Sequence, residues 1–66
     1  MKIVANGVER EIPDGATIAS FVESLGWRVQ WVVAEHNGEP VERSRLGEVV
    51  LRDGDRVEVV RAVAGG

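Results

Sequence analysis

Ile3 and Ala5 fall on one face of the opening stretch Met1 to Asn6, and this two-residue period predicts a first strand. Asn6-Gly7 follows it. A type I′ turn needs positive φ at both central positions, which Asn and Gly tolerate, so a hairpin is predicted with a second strand from Val8 to Ile12. On that strand Val8 and Ile12 share a face, and Glu9 and Glu11 take the other. Arg10 lands on the apolar face, which implies that this face is open at its edge. After the Pro13-Asp14-Gly15 turn the period changes. Ile18, Phe21, Val22 and Leu25 are spaced i, i+3, i+4 and i+7, an amphipathic helix of about two turns with Thr17 as N-cap and Gly26 just past its end. Ser20, Glu23 and Ser24 take its wet side. A helix this short does not stand alone in water and must pack on a sheet.

Trp27 to Gln30 reads as a connection, and Trp31-Val32-Val33-Ala34-Glu35 as a third strand, apolar on both faces at its start. Asn37-Gly38 repeats the hairpin signal. Glu39-Pro40-Val41 leaves room only for a short strand, which Pro40 places at a sheet edge. Ser44-Arg45-Leu46-Gly47 suggests one short helical turn capped by Ser44. Val49-Val50-Leu51 leads into the tight turn Asp53-Gly54-Asp55, and Arg56 to Ala62 forms the last strand. Val57 and Val59 face one way on it, Glu58 and Val60 the other. One helix with a mixed sheet of four to five strands is an α+β layer pair, the helix packed on one face. The long connection over residues 13–55 permits the first and last strands to lie adjacent and parallel at the centre of the sheet.

Composition narrows the chemistry. With 66 residues the chain makes one small domain, and it has no Cys and a single His, so neither a disulfide nor a Cys-built metal site is available. The formal net charge of −3 argues against nucleic acid as a partner and permits docking on a basic protein surface. No apolar run approaches membrane-spanning length, and the opening residues lack a signal-peptide pattern. A cytoplasmic protein without a membrane partner is therefore expected.

The segment after the last strand carries the candidate chemistry. Val63, Ala64, Gly65 and Gly66 have no charged side chain, and the last two have no side chain at all. Gly passes where other residues are too wide. Four extended residues reach roughly 13–14 Å, enough to deliver the Gly66 carboxylate into another protein's active site. A carboxylate is inert until activated, as by formation of an acyl-adenylate with ATP. The division expected is a body over residues 1–62 and a tail over 63–66, with Gly65 and Gly66 mobile in the free protein. The plain alternative is an ordinary chain end in which Gly-Gly is incidental. Val60 and Ala62 fall on the face of the last strand opposite Val57 and Val59, an apolar patch leading to the tail and hence a candidate docking surface.

Other residues carry blander readings. His36 has no second ligand and no orienting partner nearby in sequence, so it is read as a surface residue rather than a metal ligand or base. Asp53 and Asp55 are read as turn formers rather than Mg²⁺ ligands. Trp27 and Trp31 are read as cover for the small core, with partner anchoring as the alternative. No acid–base or nucleophile constellation is present, so the chain is not expected to be an enzyme.

The order of elements resembles the ubiquitin-like β-grasp fold, and more closely the bacterial sulfur carriers of thiamine biosynthesis, the ThiS type. The resemblance covers the whole chain. It rests on the opening strand with Asn6-Gly7, the helix start Thr17-Ile18-Ala19, and the run from Asn37-Gly38-Glu39-Pro40-Val41 through Val41-Glu42-Arg43-Ser44. It continues in Asp53-Gly54-Asp55-Arg56-Val57-Glu58 and the terminal Val63-Ala64-Gly65-Gly66. Arg45 departs from it, standing where a bulky aromatic is expected, at a position that does not reach the tail. The resemblance implies a carrier, not an enzyme. An E1-like adenylating enzyme of ThiF type, using ATP-Mg, would activate Gly66. A sulfur donor such as a cysteine desulfurase would leave a thiocarboxylate, and a thiazole synthase of ThiG type would receive the sulfur. It implies a monomer with no cofactor or metal of its own. The alternatives are a carrier of the molybdopterin or tRNA-thiolation pathways, a protein-conjugating modifier, or a β-grasp interaction module without sulfur chemistry.

Overall fold

The computed structural model describes residues 1–62. Five strands are present: β1 (Lys2–Ala5), β2 (Val8–Glu11), β3 (Val32–His36), β4 (Glu39–Val41) and β5 (Arg56–Arg61). One helix, α1 (Ile18–Ser24), follows β2, and single 3₁₀ turns occupy Val29–Trp31 and Arg43–Arg45. The strands form one sheet in the order β2-β1-β5-β3-β4. β5 is therefore central, and it runs parallel to β1 with Val4 opposite Arg56 and Ala5 opposite Val57. All other pairs are antiparallel. This is the mixed sheet and single helix that the hydrophobic pattern predicts.

Both hairpin turns form as their sequences require. Asn6 and Gly7 have φ of 51° and 80°, and Asn37 and Gly38 have 51° and 86°. Helix α1 is closed at both ends. Ser20 N–H donates to Thr17 Oγ1 at 3.0 Å and Thr17 N–H donates to Ser20 Oγ at 2.9 Å, a reciprocal capping box. At the other end Gly26 N–H reaches the Glu23 carbonyl and Trp27 N–H the Val22 carbonyl, which is a Schellman stop.

The segment 46–51 straps the start of the helix. Ile18 N–H donates to the Val49 carbonyl at 3.1 Å, and Ala19 N–H to the Leu46 carbonyl at 2.9 Å. With Ser20 N–H on Thr17 Oγ1 and Phe21 N–H on the Thr17 carbonyl, the first four helical donors are all satisfied. The strap also delivers two leucines to the core. Leu46 and Leu51 join Ile3, Ala5, Ile18, Phe21, Val22, Val32, Ala34, Val57 and Val59 in one buried cluster between helix and sheet. Each fully buried aliphatic or Phe side chain contributes about 1.5–3 kcal/mol. A domain of this size has few such groups, so none is spare.

Several sequence readings shift locally. Ser44 lies inside the short turn rather than capping it, because Glu42 takes the preceding position and no side chain caps that turn. Trp31 ends a 3₁₀ turn instead of starting β3, and it is 51% exposed, so it does not cover the core. Trp27 does: it is partly buried against the cluster. Val8 and Arg10 sit opposite Ala5 and Ile3, on the helix side of the sheet, yet both are exposed because α1 does not reach the β2 edge.

Candidate functional site

Alternation along β5 sorts its side chains cleanly. Val57 and Val59 enter the core, while Val60 is 63% exposed on the opposite face. The antiparallel register places Val33 of β3 directly across from Val60, and Val33 is likewise 54% exposed. Ala62, also exposed, donates its N–H to the Trp31 carbonyl at 2.6 Å, so the half-exposed indole of Trp31 belongs to the same end of the sheet. The structure thus brings Val60 and Ala62 together with two residues that sequence reading did not assign to the patch, Val33 and Trp31. Their signal was parity: once β3 and β5 are antiparallel neighbours, an outward Val60 requires an outward Val33.

Beside this apolar row stands an acidic pair. Glu35 and Glu58 are directly opposite each other, two register positions from Val33 and Val60 and hence the next pair on the same face, and both are exposed. Among the described residues neither has a cationic partner within ion-pair distance. Like charges directly opposite oppose the pairing that carries them. The face therefore offers an apolar row flanked by unneutralised negative charge, on a strand that ends at Arg61.

The helix side of the same strand end is organised by Arg61. Its guanidinium lies 4.8 Å from the centroid of the Trp27 ring, a cation–π contact. Val63, Ala64, Gly65 and Gly66, on which the delivery reading rests, lie outside the described residues.

At the far end of β5 the turn-forming aspartates do more than close a turn. Asp53 Oδ1 accepts the Lys2 N–H at 2.8 Å, and Gly54 N–H donates back to the Lys2 carbonyl at 2.7 Å, pinning the turn to β1. Asp55 Oδ2 accepts the Arg52 N–H at 2.9 Å and meets His36 Nε2 at 2.8 Å, and Asp55 Oδ1 accepts from Asn37 Nδ2 at 3.2 Å. Burial pushes the Asp55 carboxyl up, but the hydrogen bonds from His36, Arg52 N–H and Asn37, with the His36 charge, together outweigh it and hold the carboxyl below its ordinary value. His36 therefore has an orienting carboxylate that sequence proximity concealed, 19 residues away. The pair fastens the β3–β4 turn to the start of β5, at the opposite end of that strand from Arg61. Among the described residues no cluster of His and carboxylates has metal-binding geometry, and no helix is long and apolar enough to cross a membrane.

Comparison with known proteins agrees with this architecture. The model of the ThiS family matches residues 2–66. Over all 66 residues the chain is 36% identical to a thiazole synthase of Paramagnetospirillum magneticum, and it spans only 20% of that relative's length. The crystal structure of a thiamine biosynthesis protein, ThiS, from Geobacter metallireducens superposes with a TM-score of 0.82 at 26% identity, each chain covered completely. The solution structure of a thiamine biosynthesis protein from the same organism gives 0.81 at 26% identity, with this chain covered completely and 88% of the other.

Proposed function

The chain belongs to the ThiS family, and from that premise we propose that it is a sulfur carrier for thiazole formation, with the Gly66 carboxylate as its working group. The observation that carries the proposal is the family match running through the Gly-Gly end, on a fold whose central strand, ending at Arg61 five residues before Gly66, carries an apolar row.

The chemistry proceeds in two exchanges at one carbon. In the first, a Gly66 carboxylate oxygen attacks the α-phosphorus of ATP, pyrophosphate leaves, and an acyl-adenylate forms. The Mg²⁺ that accompanies ATP belongs to the adenylating enzyme. In the second, the outer sulfur of a donor persulfide, such as that of a cysteine desulfurase, attacks the acyl carbon and AMP leaves; a thiol then cleaves the resulting acyl disulfide, freeing the thiocarboxylate and leaving a disulfide between that thiol and the donor cysteine. The thiocarboxylate sulfur is a soft nucleophile, suited to transfer into a thiazole ring by a synthase. The segment similar to this chain within a protein named thiazole synthase supports a synthase as the acceptor.

The chain's own residues supply an address and a reach. Val33, Val60, Ala62 and Trp31 offer apolar contact. Glu35 and Glu58 favour a basic surface, which speeds encounter more than it tightens binding. Gly65 and Gly66 permit entry into a narrow passage.

Mass spectrometry of the protein isolated from sulfur-replete cells tests the reading. Replacement of one C-terminal oxygen by sulfur is the expected result. A free carboxylate alone, together with no ATP–pyrophosphate exchange in the presence of the organism's adenylating enzyme, would overturn it.

A further inference from the structure

β5 is longer than the strand beside it. On the β1 side the pairing ends at Ala5 opposite Val57, whereas β5 continues to Arg61. In a strand, successive residues turn their main-chain groups to alternate edges. Arg56 and Ala62 bond toward β3, through Asn37 N–H to the Arg56 carbonyl and Ala62 N–H to the Trp31 carbonyl. Val57 and Val59 therefore face the β1 side. Asn6 N–H donates to the Val57 carbonyl, and the Asn6 carboxamide takes both main-chain groups of Val59. The next residue in that series is Arg61. Among the described residues nothing pairs with its N–H or its carbonyl on that side.

A second feature lies on the same side. Asn6 and Val59 also line a groove of about 180 Å³, together with Val8, Leu25, Trp27 and Arg10 among others. A strand laid against Arg61 would pass this groove with every second side chain turned toward the helix layer. Open main-chain groups give such additions their affinity, and a side-chain pocket gives them selectivity.

We infer that the β1-side edge of β5 at Arg61 receives an extended segment of the adenylating enzyme, which adds as a further strand beyond Asn6 and places an apolar side chain in the groove. This rests on the carrier reading. The reason for choosing that occupant is distance: from Arg61 to Gly66 is five residues, at most roughly 16–18 Å, so the protein that holds Gly66 has surface within that reach of Arg61. The added strand would hold the exit of the tail between itself and β3. Asn6 would fix where the addition starts, because its side chain already occupies the edge at Val59.

Amide hydrogen exchange followed by NMR on the isotope-labelled chain, alone and with the adenylating enzyme and ATP, tests this. Alone, Val60 and Ala62 N–H are expected to be protected and Arg61 N–H to exchange freely. In the complex, Arg61 N–H is expected to slow at least tenfold. The companion measurement is affinity for a synthetic chain with an ester in place of the Arg61 amide, set against Arg61→Ala, which keeps the N–H. One lost hydrogen bond predicts roughly 2- to 12-fold weaker binding by the ester. Equal binding by the ester and unchanged Arg61 exchange in a complex that still adenylates Gly66 would overturn the inference alone. Protection of Arg61 that grows with concentration in the isolated chain would overturn it in favour of a second copy. Failure of the native chain to bind or to be adenylated would overturn the carrier reading and this inference with it.

Discussion

Asn6 and Val59 are joined by two hydrogen bonds across 53 positions of sequence: Val59 N–H donates to Asn6 Oδ1 at 2.8 Å, and Asn6 Nδ2 donates to the Val59 carbonyl at 3.0 Å. The same residue makes the first turn, with φ of 51°. Asn6→Gly keeps the turn and removes both bonds, so a loss of about 1–3 kcal/mol is expected. Asn6→Ala adds the left-handed backbone cost of about 1–2 kcal/mol. Urea unfolding of the two variants should rank them in that order; equal stability to wild type for Asn6→Gly would mean that the two bonds contribute nothing net.

Val60 and Ala62 lie on the face away from the core, so a charge there should spare the fold and damage docking. Val60→Asp and Ala62→Asp are expected to weaken binding to the adenylating enzyme by about 1–3 kcal/mol. Val33→Asp should match them, since Val33 stands directly opposite Val60. Calorimetric titration with circular dichroism on each variant is the measurement, and three folded variants that bind like wild type would place docking elsewhere.

Deleting Gly66 keeps a terminal carboxylate and withdraws it by roughly 3.3–3.6 Å. A misplacement near 1 Å already costs about 10²-fold in a positioned reaction. ATP–pyrophosphate exchange should therefore vanish while the fold persists. Gly65→Val should fail as well, because a β-branched side chain is stiff and wide where the passage admits glycine.

The lowered Asp55 carboxyl has a definite pH consequence. A carboxyl held below its unfolded value stabilises the fold at pH above that unfolded value, and the contribution fades as pH falls through the lower, folded one. Asp55→Asn should thus cost stability at neutral pH, about 1–3 kcal/mol for its charged hydrogen bonds, and the gap from wild type should close below about pH 4. A gap that stays constant from pH 7 down to pH 3 would contradict the assignment.

Glu35 and Glu58 face each other without a cation. Glu58→Gln should stabilise the free protein by about 0.2–1 kcal/mol and slow its association with a basic partner. Added salt should shrink both effects. Melting curves and stopped-flow association at two ionic strengths separate the two.

The sequence by itself determined the element order, both hairpin turns, the helix with its Thr17 cap and Gly26 stop, and the inward side of β5. Each is a local decision: a period of two or of 3.6, or a positive φ that Asn and Gly accommodate, and neighbours in sequence are enough to read it. Val60 and Ala62 as outward residues followed from the same alternation. The tertiary structure decided what depends on which distant residues meet. Val33 joined the apolar row only through the β3–β5 register, and Glu35 met Glu58 for the same reason. His36 found Asp55 across 19 positions, and Trp31 joined the outward row only because the β3–β5 register sets it beside Ala62. The strap that satisfies the helix start uses the carbonyls of Leu46 and Val49, main-chain groups that carry no residue-specific mark. Hydrogen bonds of that kind depend on the folded path alone, since every residue offers the same carbonyl and nearly every residue the same amide; the Asn6 bonds to Val59 need the Asn6 carboxamide too, but the partner it meets is set by the path.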